Sequence, residues 1–231
     1  MGQTRNLQNK LDMIIAPRCG ESGGWWRAHD YPAYGPHGQQ EEHWSEEDWQ
    51  QATRIFEDRI RGRFLNVIDA IKCQRGSGFA VMALDCLLVE TLEQFRQGVP
   101  STRSRSGSGG YIANFLTQTS FQESFGTDTS RSGLARTFAD HIRNGILHQA
   151  ETKKKSRIIR GKTRLVAWID DGHKAIAVNR DEFHKQLLKE FGDYLERLRK
   201  PQTSEDRDLR HKFKVKMDYV CRFLSAEDED N

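Results

Sequence analysis

Ser132 to Gln149, SGLARTFADHIRNGILHQ, is the stretch whose reading decides the fold. Leu134, Phe138, Ile142 and Ile146 recur at near-helical spacing with polar residues between them, which predicts the last turns of an amphipathic helix. Within it, Arg143, Asn144, Gly145, Ile146, Leu147 and His148 bring a permanent cation, an amide and an imidazole together. Asn144 and His148 are four residues apart and share a face, and Arg143 is long enough to wrap toward them. An arginine fork holds phosphate oxygens and an imidazole titrates near neutrality, so the trio carries groups for phosphodiester chemistry without a metal. An arginine and a histidine near a helix C-terminus also occur in purely structural helices, so spacing leaves both readings open.

Upstream, the chain reads as further helices. SEEDWQQ places Ser45 at an N-cap with Asp48 three residues on, and Trp49, Ile55, Phe56, Ile60, Phe64, Leu65 and Ile68 trace an amphipathic helix to about Lys72. After QRGSG, the run Phe79 to Phe95 is apolar enough for a central helix, with Asp85, Glu90 and Glu93 as its exceptions. A carboxylate buried there needs a partner, and Arg143 is the candidate partner for one of them, Glu90 first; the other reading has Glu90 and Glu93 facing water. Residues 98 to 110 form a Ser/Gly/Arg linker, and Tyr111 to Phe121 a shorter helix.

Downstream, Leu165 to Ile169 and Ala175 to Val178 are β-rich runs separated by DDGHK, a hairpin signal, with Ser156 to Arg160 as a possible third strand. Arg180 to Arg199 is another amphipathic helix, Pro201 stops it, and Asp206 to Leu224 forms a last basic helix before an acidic tail, EDEDN. The expected fold is mainly α, an antiparallel helical bundle with a small β-hairpin insertion after the motif helix. Its parts are a loop-rich extension over 1–44, a helical domain over 45–199, and a basic helix with its tail over 200–231. In the extension, Trp25, Trp26, Tyr31 and Tyr34 can pack on the body, stack on bases or meet a partner, packing being the first expectation.

Composition removes several classes. The four cysteines, Cys19, Cys73, Cys86 and Cys221, have no paired short spacing, so neither a zinc ribbon nor a disulfide framework is indicated. Cys19, His29, His37 and His43 match no zinc spacing, and no metal or cofactor is expected. No apolar run reaches membrane-spanning length and the first residues lack a signal peptide's apolar core, which leaves a cytoplasmic setting as the expectation. Net charge is only +3, but the segment from Arg131 to Arg164 holds ten basic residues against Asp140 and Glu151. Arg136, Lys153, Lys154, Lys155 and Arg157 in that segment would suit a polyanion.

A helical bundle, RNGILH near a helix end, and a basic turn after it together resemble the HEPN superfamily, whose mark is an arginine followed after four to six residues by a histidine. Arg143 and His148 have the spacing of four, and Asn144 matches the polar residue that often follows the arginine. The resemblance covers roughly residues 45–199. It implies a metal-independent endoribonuclease working as a homodimer, with His148 moving the proton of the 2′-hydroxyl or the leaving 5′-oxygen, Arg143 stabilising phosphate charge and Asn144 orienting them. It also implies a toxin or defence effector with RNA as substrate and an antitoxin or effector-complex protein as a further partner. Non-catalytic members bind nucleotides or proteins instead. Ala150 stands where nucleotidyltransferase-regulated members often carry a tyrosine. Gly145 would allow close helix approach across a dimer.

Overall fold

The computed structural model describes residues 11–20, 23–35, 44–100, 107–161, 163–169, 172 and 174–221. His37, His43, the linker positions 101–106, Lys162, three residues of the DDGHK turn and the EDEDN tail lie outside them. In chain order the elements are β1 (Ile14–Pro17), β2 (Trp25–Arg27), α1 (Glu46–Ile60), α2 (Asn66–Ile71), α3 (Gly78–Gln97), α4 (Gly107–Gln118) and α5 (Gln122–Phe125). They continue with α6 (Leu134–Phe138), α7 (Gly145–Gln149), β3 (Arg157–Ile159), β4 (Val166–Trp168), β5 (Ile176–Asn179), α8 (Arg180–Arg199) and α9 (Ser204–Val220). The chain is thus mainly helical with small sheets. Two widened, π-helical stretches, Arg61–Leu65 and Ala139–Asn144, join α1 to α2 and α6 to α7 without a break.

Two compact units emerge, one of residues 1–67, 95–100 and 194–231, the other of 68–94 and 101–193. In the first unit, α1 starts as its sequence dictates: Ser45 Oγ accepts from the Asp48 N–H and the Asp48 carboxylate accepts from the Ser45 N–H. Thr203 and Asp206 repeat the device at α9. The core is aromatic, with Phe56 4.4 Å from Phe95 and 5.4 Å from Phe213 between ring centroids. Residues of the N-terminal stretch are part of this packing. β1 and β2 pair antiparallel, the Trp26 indole donates to Asp58 at 2.7 Å, and the buried Tyr31 hydroxyl donates to Asp218 at 2.6 Å.

The second unit carries the motif helix. Phe138 stacks on Phe183 with centroids 5.0 Å apart, and Phe121 and Phe125 complete the cluster around them. The four-residue spacing of Leu134, Phe138, Ile142 and Ile146 would drift by about 40° per interval in an α-helix, at about 100° per residue. The wider π turn at Ala139–Asn144 takes up that drift, and Phe138, Ile142 and Ile146 all stay buried. The sheet has the order β3-β5-β4, with β4 antiparallel and β3 parallel to β5. All three acidic exceptions on α3 are interior: Asp85, Glu90 and Glu93 are buried, against the reading that put Glu90 and Glu93 in water.

Candidate functional site

The π turn ends on Arg143 and Asn144, and its geometry aims the arginine inward. Arg143 Nη2 donates to Glu90 Oε2 at 2.9 Å and Nη1 to Asn144 Oδ1 at 3.0 Å. The paired side chains keep only 12% and 11% of their surface, so this is an interior ion pair rather than an exposed one. Arg143 Nε is buried with no acceptor among the described residues. Asn144 uses its carbonyl oxygen on the arginine, which leaves its amide NH2 as a donor.

His148 lies one turn beyond Asn144, on the same face of α7, and is exposed with no hydrogen bond among the described residues. The helix ends immediately after it, at Ala150, whose φ of 53° is left-handed. The site therefore consists of an anchored half, Glu90–Arg143–Asn144, and a free imidazole.

The chain then turns back over α7. The Lys153 N–H donates to His141 O at 2.9 Å, and the backbone of 151–153 runs directly over Gly145. A Cβ on Gly145 would collide with the Glu151 carbonyl oxygen and lie 3.2 Å from both Lys153 N and Thr152 Cα. A reason for this glycine is consequently found within the chain, in the backbone that covers it. Gly145→Ala is expected to lower stability by about 1–3 kcal/mol, as overpacking does. An uncovered helical glycine would instead gain about 1 kcal/mol from the same change. A raised urea midpoint in Gly145→Ala would refute the covering.

Two buried groups that sequence periodicity concealed hold this crossing in place. His141 Nδ1 lies 3.0 Å from Ser156 Oγ, which also accepts from the Ile176 N–H at 3.1 Å and so ties the motif helix to the sheet. Burial pushes the His141 imidazole below its ordinary value, with Asp140 opposing and Lys154 and Lys153 reinforcing the shift. A histidine whose folded value is lowered gives stability that is complete above the unfolded value, about 6.5, and is lost as pH falls through the folded one. Wild type is expected to lose stability on acidification below about pH 6.5 more steeply than His141→Asn, measured by urea midpoints across that range. Parallel profiles would remove His141 from the account.

The basic residues sort into committed and uncommitted. Lys153 Nζ is 2.7 Å from Asp140 and its backbone is fixed, so Lys153 is structural in this arrangement. Arg136 donates to Thr129 O at 3.3 Å. Lys154, Lys155 and Arg157 are exposed and form no salt bridge among the described residues, although Lys154 is near enough to Asp140 to help Lys153 hold that carboxyl below its usual range.

The same unit holds a second polar cluster, around Asp85 and Arg180. Asp85 accepts from or donates to His184 Nδ1 at 2.8 Å, and the buried Arg180 donates to Ser77 Oγ at 3.1 Å and Lys72 O at 2.8 Å. Burial raises the Asp85 carboxyl above the usual range, against the lowering by His184 and Arg180. Asp85 is legible as an intruder in an apolar run. His184 is not, because it is buried on α8 beside the apolar Phe183 and Leu187. No family model, curated protein or solved structure matches the chain.

Proposed function

We propose that this chain is a HEPN-type endoribonuclease that needs no metal, cleaves RNA by attack of the 2′-hydroxyl, and serves as a toxin or defence effector. The observation that carries the reading is a single helix that exposes His148 one turn from an arginine and an asparagine locked by an interior carboxylate. RNA supplies its own nucleophile. A base on the 2′-hydroxyl, an acid on the leaving 5′-oxygen and a cation on the phosphate then suffice, and the products are a 2′,3′-cyclic phosphate and a 5′-hydroxyl. In a two-fold dimer, one His148 would act as base and the other as acid.

The antiparallel bundle with its hairpin belongs to this same proposal, as do a cytoplasmic setting and restraint by an antitoxin or effector-complex protein. The test is incubation of purified protein with RNA in EDTA. Cleavage that survives chelation, ends in a cyclic phosphate and disappears in His148→Ala supports the proposal; cleavage that requires magnesium sinks it. A second reading makes the domain a non-catalytic HEPN module that binds a nucleotide or a protein. The burial of Arg143 against Glu90 favours it, because a cation already neutralised is less available to a phosphate. It predicts saturable binding and no product under any condition.

A further inference from the structure

We propose that Lys154 and Lys155 form a built phosphate clamp for single-stranded RNA, a reading that rests on the ribonuclease proposal for its choice of ligand. Both residues have positive φ, 52° and 66°, and the Ser156 N–H donates to Lys153 O at 3.0 Å across them. Two positive central angles with that bond define a primed type I turn, a conformation that suits Asn-Gly and disfavours long side chains. Two lysines occupy it here because their surroundings hold them. Lys153 is tied to His141 and Asp140, Thr152 Oγ1 donates to Ser156 O at 2.5 Å, and Ser156 is buried against His141 and β5.

A strained conformation that its neighbours impose on exposed charged residues is a mark of a functional segment. The turn presents two ammonium groups, and the backbone N–H groups of Lys154 and Lys155 have no acceptor among the described residues, which leaves two further donors beside the two charges. Arg157 adds an uncommitted guanidinium two residues on. Point charges with free N–H donors suit phosphate oxygens, and a row of them at 154, 155 and 157 suits successive phosphates of a strand. Lys153, next in sequence, is excluded from the clamp by its bond to Asp140.

The experiment separates charge from strain and binding from cleavage. Its probe is a 2′-O-methylated single-stranded RNA, which has no free 2′-hydroxyl to attack and so reports binding alone. In Lys154→Asn/Lys155→Gly, affinity is expected to fall about 25-fold at 0.1 M salt and the slope of log affinity against log salt to shrink by about 1.4, as for two lost single-strand phosphate contacts. The same variant is expected to gain about 3–6 °C in Tm, since it supplies the residues the turn prefers. Lys154→Gln/Lys155→Gln should lose the same affinity without that gain. A Tm increase with affinity within twofold of wild type would make the turn structural and overturn the clamp. Displacement of the strand by inorganic phosphate at equal phosphate concentration would overturn it too, in favour of a single-anion site. A wild-type protein that binds the strand through the turn but cleaves no RNA would leave the clamp standing and remove the nuclease.

Discussion

Arg143→Ala is expected to lower stability by about 3–5 kcal/mol, because it strands Glu90 as an interior carboxylate with its cation gone. Against a typical total of about 5–15 kcal/mol, that loss leaves a substantial unfolded fraction at physiological temperature. The companion variant tests the cause. Arg143→Ala/Glu90→Gln removes the stranded charge as well and should recover to within about 1–2 kcal/mol of wild type, since a neutral amide is far cheaper to bury. Denaturant titration of both proteins reads the difference. Arg143→Ala alone within about 0.5 kcal/mol of wild type would mean the ion pair has no interior character. For enzymology, loss of cleavage in Arg143→Ala reports on chemistry only when the double variant is folded and equally inactive.

His148→Ala is expected to behave oppositely. His148 is exposed and makes no hydrogen bond among the described residues, so truncation should change stability by less than about 0.5 kcal/mol. On the proposed ribonuclease reading, cleavage of RNA in EDTA should nevertheless fall about a hundred- to ten-thousandfold, the range for removal of a positioned proton-transfer group. The two variants together dissect the site into a half that holds the fold and a half that, on the proposed reading, acts. Unaltered cleavage by a well-folded His148→Ala would transfer the activity elsewhere on the molecule.

The sequence makes some of this legible and hides the rest for identifiable reasons. Ser45 with Asp48 announces the start of α1 because a capping pair is local chemistry, readable from two residues and their spacing. Glu90 as partner to Arg143 is readable as a necessity, since a carboxylate inside an apolar helix demands a cation, and the structure pairs the two at 2.9 Å. His141 and His184 are illegible because each occupies an apolar face, where an imidazole and a hydrophobic side chain look alike to a periodicity argument. The three consecutive lysines show the same limit. Composition treats Lys153, Lys154 and Lys155 as equivalent, whereas the turn gives the first to Asp140 and exposes the other two.

The widened turn at Ala139–Asn144 gives the motif helix room for one change in length. A π turn holds one residue more than α geometry needs, and each residue is about 100° of rotation. Loss of one residue between Phe138 and Arg143 would restore regular α winding and keep the parts on either side in nearly the same phase, so Phe138 on Phe183 and Arg143 on Glu90 could still be satisfied together; loss of a second would swing everything beyond it through that angle. Relatives of this protein should therefore come in two lengths across this segment, one with the extra residue and one without it, and in no others: the turn is a spare place in the count of the helix.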